Sequence, residues 1–321
     1  MPSTETQKRL AAIPNLQVLH DVPLARYTRF GIGGPADLFA ETASVEAFVA
    51  ATEAARDSVI PFLLLGGGTN LIVSDEGYRG LVLRFSAKEL RAEGSTVFAE
   101  AGAELEALVD FTIERGLKGM ETLKRIPGSV GAAVYGNAGA YGHSISERVR
   151  SVRFFDGHGV RIFDNAGCEF AYRESVFKRR KDWVIFSTEL LLEPADPEEL
   201  KRTASEIQAI RDEKFPVTMK CAGSIFKNLL LAALPSDVAA QVAPGVVREG
   251  KVAAAYFLEQ VGAKGMARGD MRVADYHANL IYNAGGGTAR ELRELIAELK
   301  SRVRARFGLE LEEEVQYAGF E

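Results

Sequence analysis

The chain of 321 residues has little cysteine, little histidine and no long apolar run. Its two cysteines, Cys168 and Cys221, lie far apart. No CxxC pair and no Cys/His spacing of the zinc-binding kind is present, so no structural metal is expected. Two lone cysteines offer no disulfide framework and fit a reducing compartment. The opening residues, MPSTETQKRLAAIPNLQ, lack the apolar core of a signal peptide, and no segment approaches the roughly 18 apolar residues of a membrane helix. A cytoplasmic protein is expected. Positive charge is not in excess either: Lys and Arg number 39 against 44 Asp and Glu, a net charge of −5. That balance argues against nucleic acid or an anionic membrane as a partner, while leaving room for a basic pocket that binds a small anion.

What is present is the composition of a globular protein, 47% hydrophobic and 26% charged. The length exceeds one ordinary core and predicts two or three domains. SVEAFVAATEAAR, from Ser44, has helical periodicity with Val45, Phe48, Val49 and Thr52 near one face. VIPFLLLGGG reads as a buried strand entering a glycine turn, and GLVLRF as another strand. VFAEAGAELEALVDFTIERGL reads as strand, then helix, with a stop at Gly116. VRFFDGHGVRIFD, Val152 to Asp164, reads as a hairpin turning at Asp156–His158. WVIFSTELLLEP reads as a long strand ending at Pro194. Asp196 as N-cap, Pro197 at the first position and Glu199 behind it predict a helix to about Asp212. Thr288 and Glu291 form a capping box that opens a helix ending near Gly308. The block 214–305 shows fewer strand signals and reads as a separate domain. LELEEEVQYAGF alternates apolar and polar residues and reads as a strand returning to an earlier sheet. The expected division is 1–85, then 86–213 with the returning strand in 306–321, and 214–305.

Three glycine-rich stretches bear on function. GIGGPA matches GxGxxA at Gly31, Gly33 and Ala36, but ADLFAE after Pro35 reads as a strand where the dinucleotide fingerprint needs a helix. GGGTN, Gly66, Gly67, Gly68, Thr69 and Asn70, follows a buried strand. It lacks the Gly-Lys-Ser/Thr of a P-loop, and Leu71 stands where a third fingerprint glycine would be. Bare backbone N–H groups beside two hydrogen-bonding side chains suit a pyrophosphate, and an ordinary tight turn has the same composition. IPGSVGAAVYGNAGAYG, Ile126 to Gly142, has five glycines between Gly128 and Gly142. A backbone this bare either packs on another backbone or lines a flat ligand.

Six segments in order carry a family resemblance: YTRFGIGGPADLF, LLLGGGTNLIVSDEGYRGLVLR, IPGSVGAAVYGNAGAYG, YRESVFK, AGSIFKN and LEEEV. They cover most of the chain from Tyr27 to Val315. Together they resemble the UDP-N-acetylenolpyruvoylglucosamine reductase family (the UDP-N-acetylmuramate dehydrogenases), in its shorter variant without the inserted tyrosine clamp. The resemblance implies an α+β chain with the FAD-binding fold shared with vanillyl-alcohol oxidase: two FAD-binding α+β subdomains and a C-terminal α+β domain for substrate. It implies noncovalent FAD and NADPH as co-substrate. It also implies reduction of UDP-N-acetylglucosamine enolpyruvate to UDP-N-acetylmuramate in peptidoglycan synthesis, with no obligatory protein partner.

The same resemblance places the cofactor on Gly66–Leu71 and on Ile126, Pro127, Gly128, Ser129, Gly131, Asn137, Gly139 and Ala140. It makes Arg173 the catalytic arginine, Ser224 the proton donor and Glu314 the catalytic glutamate, with Lys214 and Asn228 at the substrate. The family pattern Leu-Glu-Pro-Glu-Val has Glu313 in place of proline here, and Leu229 replaces the proline that usually follows Asn228. Chemistry agrees with these roles. Hydride addition to an enol ether of a carboxylate builds negative charge, which needs a cation at the carboxylate and a positioned acid. Cys221 has no His near it in sequence to activate it and is expected only to pack. Two rivals are a sugar or alcohol oxidase on the same fold, for which no His lies near Gly66–Asn70 to attach FAD covalently, and a non-catalytic nucleotide-sugar binding protein.

Overall fold

The computed structural model describes residues 2–320. The chain divides into two compact units. The first takes the chain up to Val22, Ala36–Gly68 and Arg79–Glu213. The second takes Pro23–Pro35, Thr69–Tyr78 and the chain from Lys214 onward.

The first unit contains a four-stranded sheet in the order Gln17–Pro23, Pro35–Thr42, Tyr78–Phe85, Phe62–Leu64, the last pair parallel. It also contains a five-stranded antiparallel sheet in the order Val160–Asp164, Val149–Phe155, Val184–Leu191, Thr96–Glu100, Leu90–Glu93. The helices Val45–Asp57 and Leu105–Glu114 form where the periodicity predicts them, and Gly116 follows the second with φ +64°. The hairpin closes as its turn chemistry requires: Asp156 accepts from the N–H groups of His158 and Gly159. Two buried clusters result. Leu38, Phe48, Leu81 and Phe155 belong to one, and Leu108, Val134 and Phe154 to the other. Phe154 and Phe155 are neighbours on one strand, so their side chains leave opposite faces of the sheet, one into each cluster. Helix Pro197–Lys214 adds Leu200 and Ala204 to the second cluster, with the Asp196 carboxylate accepting the Glu198 N–H.

The second unit is richer in strands than its pattern suggests. A four-stranded antiparallel sheet runs Lys220–Ser224, His277–Asn283, Met271–Ala274, Ala267–Arg268. The central strand is buried along Ala278–Ile281 on both faces, which removes the alternation that marks a half-exposed strand. The others are two to five residues long. Helix Ala289–Phe307 has the capping box of Thr288 and Glu291 and ends at Gly308 with φ +66°. Its first turn has a second cap: Asp75 accepts from the N–H groups of Ala289 (2.8 Å) and Arg290 (3.0 Å).

The C-terminal segment differs from its expected form. Only Gln316–Ala318 is a strand, and it pairs in parallel with Leu71–Val73 within the second unit, not with the five-stranded sheet. Leu309, Leu311 and Val315 alternate because an extended chain lays them into the core beside Leu295 and Leu299. Upstream of Gln316 its ladder contact is the bridge between Glu313 and Phe226.

Replacing Asp75 by Ala strips a charge-assisted cap from two N–H groups at the positive end of a 19-residue helix. It is expected to cost about 1–2 kcal/mol, measured as a lower urea midpoint at unchanged slope.

Candidate active site

Ser224 ends the strand Lys220–Ser224, and the strand is bulged in front of it. Cys221 faces Tyr282 but Ser224 faces Leu280, so three steps on one strand match two on the other. The bulge contains Gly223 at φ +82°; a Cβ there would meet nothing within 4 Å, so glycine is needed for its backbone angle and not for space. The bulge re-aims the chain at Ser224, whose hydroxyl makes no hydrogen bond among the described residues. Cys221 is fully buried against Ala274, Leu280 and Phe215, which is the packing role expected of it.

Beyond Ser224 the chain is tied on two sides. Asn279 accepts the Phe226 N–H on its side-chain oxygen (2.9 Å), donates to the Phe226 carbonyl (2.8 Å) and takes the Ile225 N–H on its own carbonyl (3.0 Å). Nothing in the local sequence marks Asn279 for this. On the other side 225–227 runs antiparallel to 312–314. Glu314 N–H donates to Ile225 O (2.7 Å) and Lys227 N–H to Glu312 O (2.9 Å). The structure thus brings Ser224 and Glu314 together.

The three glutamates have different surroundings. Glu312 pairs with the buried Lys227 at 2.5 Å. Glu313 takes Lys300 at 2.7 Å and the Tyr317 hydroxyl. Glu314 has both its peptide groups anchored, since Asn70 Nδ2 donates to its carbonyl at 2.9 Å.

Lys214 ends its helix. Its carbonyl accepts the Tyr276 hydroxyl (2.9 Å), and its ammonium lies 5.2 Å from the Phe215 ring. His277 lies 6.3 Å from the same ring and accepts the Asn279 N–H on Nδ1, which puts its proton on Nε2. Burial, then the charges of Lys214 and Lys264, push the imidazole down from 6.5 to about 4. Asn228 is exposed.

Arg173, in the first unit, sits in a tight turn. Glu174 N–H donates to Ala171 O (3.1 Å) and Ala171 N–H to Glu174 O (3.0 Å). Arg173 occupies the third turn position at φ +59°, where glycine is favoured. Its guanidinium donates to Gly139 O (2.9 Å) and lies 5.3 Å from the Tyr172 ring. Glu174 pairs with Lys178.

The two expected cofactor stretches meet within the first unit. A Cβ on Gly67 would stand 2.9 Å from Gly128 Cα, and one on Gly66 would stand 3.1 Å from Ser129 Oγ. Gly66 and Gly67 are exposed all the same. The close packing of bare backbones and an open peptide surface therefore coexist. Ser129 accepts from Ala132 N–H; Gly128 O, Val130 N–H and Gly131 N–H bond to Leu105, Ala103 and Ala101. Ile126 packs on the neighbouring core, Pro127 is exposed, and Gly139–Ala140 pairs with His143–Ser144. Asn137 is buried, with its side chain bonded to Ala171 O and Ser146 N–H and its own N–H to Val134 O. Leu71 opens the strand beside Gln316. Thr69 is half-buried, and Asn70 Oδ1 is a buried acceptor with no partner. Exposed glycine N–H groups and an unfilled acceptor fit FAD, whose pyrophosphate accepts and whose ribityl and flavin N–H groups donate.

One residue that sequence reasoning missed is Arg125, at φ +65° in front of Ile126. It is held by a forked bond to Asp212 (2.9 and 2.6 Å). Its partner is 87 positions away, and no local signal points to it.

Arg173→Gly removes the functional group and relieves a left-handed backbone worth ~1–2 kcal/mol. Turnover is expected to fall by ~10²–10³ while the unfolding midpoint stays level or rises. A clearly destabilised variant contradicts the turn assignment.

A second expectation concerns acid. Below pH 6.5 unfolded His277 takes a proton that the folded form refuses until about pH 4. Stability contributed at neutral pH is therefore lost across that window. His277→Gln should show a shallower fall in denaturation midpoint from pH 6.5 to 4.

Comparison with known proteins gives two domain matches. Residues 36–162 match the profile of an FAD binding domain, and residues 215–318 that of the UDP-N-acetylenolpyruvoylglucosamine reductase C-terminal domain. The chain is 68% identical to a protein of Solibacter usitatus described as UDP-N-acetylenolpyruvoylglucosamine reductase, over 97% of this chain and 100% of that one. It is 32% identical to the protein of that description in Bacillus subtilis, over 94% of each. Among solved structures, the UDP-N-acetylenolpyruvylglucosamine reductase of Thermus caldophilus superposes with a TM-score of 0.73 at 27% identity, covering 94% of this chain and 98% of that one.

Proposed function

We infer the roles of the site residues from one premise: the chain belongs to the UDP-N-acetylenolpyruvoylglucosamine reductase family. It is an α+β flavoenzyme, an FAD-binding module joined to the reductase C-terminal domain. It reduces the enolpyruvyl group of UDP-N-acetylglucosamine enolpyruvate in peptidoglycan synthesis, with FAD as cofactor. When bound, FAD would supply the redox chemistry that passes hydride from NADPH to the enolpyruvyl double bond.

The chain's own residues do the rest in this proposal. Gly66–Leu71 and the Ile126–Ala140 stretch hold FAD noncovalently. The Arg173 guanidinium forks onto the substrate carboxylate as the adjacent carbon gains an electron pair. Ser224 gives its hydroxyl proton to that carbon, which completes UDP-N-acetylmuramate. Glu314 holds the developing charge distribution and the proton network, and Lys214 and Asn228 bind the substrate's polar groups. Chain parts 1–85 and 86–213 serve the cofactor, and 214–305 serves the substrate. Among the described residues no helix is long and apolar enough to cross a membrane. A cytoplasmic enzyme needing no nucleic acid, membrane or protein partner is the reading we adopt.

The observation that carries the assignment of Ser224 with Glu314 is the 2.7 Å bond from Glu314 N–H to the carbonyl of Ile225, the residue after Ser224. Glu312 and Glu313 are engaged by Lys227 and by Lys300.

Anaerobic stopped-flow absorbance of the flavin separates the half-reactions. Ser224→Ala should be reduced by NADPH at a near-normal rate and reoxidised by the enolpyruvyl substrate ~10²–10⁴ slower. Cys221→Ala should be normal in both. Normal reoxidation in Ser224→Ala removes the serine from the mechanism.

A further inference from the structure

Asn70 stands last in GGGTN, where its residue type suits a cofactor, but the structure gives it a different occupation. Its side-chain Nδ2 donates to Glu314 O at 2.9 Å, and its main-chain O accepts the Gln316 N–H at 2.9 Å. The two bonds grip the peptide on either side of Val315, which is buried in the core. The amide orientation follows from chemistry: turned over, Oδ1 would face the Glu314 carbonyl, acceptor against acceptor. In the observed orientation Oδ1 is buried without a partner. That orientation keeps Nδ2 on Glu314 and leaves Oδ1 as the acceptor that would meet the cofactor. On the other side of the same residue, Glu314 N–H is bound to Ile225 O. Glu314 is thus pinned by its two peptide groups, through its N–H to the Ser224 loop and through its C=O to the end of the glycine loop.

We propose that Asn70 is a positioning residue for Glu314, fixing that carboxylate's backbone for the proton-transfer half of the reaction in addition to any bond it makes to cofactor. The proposal rests on the role given to Glu314 above. A residue that only held FAD would lose its influence once FAD is saturating. A residue that acts through Glu314 would not.

The test uses the full chain with Asn70→Ala, the near-isosteric Asn70→Asp, Glu314→Gln and the double variant Asn70→Ala/Glu314→Gln. FAD affinity is read by titration of the visible spectrum, and each half-reaction by stopped flow at saturating FAD. Both Asn70 variants should bind FAD more weakly, because a loop peptide is loosened. With FAD saturating, reduction by NADPH should stay within about twofold of wild type, and reoxidation by substrate should slow by at least about tenfold, as a misplaced group does. In the Glu314→Gln background, Asn70→Ala should slow reoxidation by less than about threefold more, since groups acting as a unit are non-additive. Weak FAD binding with normal reoxidation at saturation would make Asn70 a cofactor ligand alone and overturn the proposal. So would effects that multiply in the double variant. If Glu314→Gln itself reoxidises normally, the role of Glu314 fails first and the proposal falls with it. If Glu314→Gln is slow and Asn70→Ala normal, only the proposal falls.

Discussion

The backbone pairing of 225–227 with 312–314 is the constraint on which the second unit's chemistry depends. It consists of two bonds, Glu314 N–H on Ile225 O and Lys227 N–H on Glu312 O, which bridge Phe226 with Glu313. These are main-chain bonds, so they set a register that no side chain has to specify. Phe226, 1% exposed, locks them from the core side. Lys227 and Lys300 lock them from the charged side by taking Glu312 and Glu313. A slip of one residue would bring a different residue opposite Ile225 and break both bonds together.

The local costs lie beside residues of the candidate site. Arg173 stands in a left-handed turn position, which is a local penalty that surrounding structure has to overcome, while the bulge before Ser224 is accommodated by Gly223. Asn279 satisfies the whole Phe226 peptide, and Asp75 and Thr288 cap the helix whose Leu295 and Leu299 pack against the segment leading to Glu314.

Much of this was legible where the signal is local. The helix after Thr288 announced itself by Glu291 three residues on, and the hairpin at Asp156 by two glycines around His158. The strands of the second unit were not legible, because His277–Asn283 is buried on both faces and Lys220–Ser224 is bulged. The alternation after Gly308 was real but reflected core packing of Leu309, Leu311 and Val315, with strand pairing only around Glu313 and at Gln316–Ala318. For the site, the residue types in GGGTN and AGSIFKN are what single out these loops as candidates. The grip of Asn70 on Glu314 spans 244 positions and that of Asn279 on Phe226 spans 53, distances over which composition carries no information.

The most direct test of this account is residue-resolved amide hydrogen exchange at Glu314 and Gln316. Both N–H groups are bonded to main-chain carbonyls, at 2.7 and 2.9 Å, in a segment with only three strand residues. The account predicts exchange as slow as that of the strand His277–Asn283, meaning that both amides open only with the second unit as a whole. Exchange at the rate of exposed turns such as Asp156–Gly159 would contradict it, because Glu314 would then not be held at all.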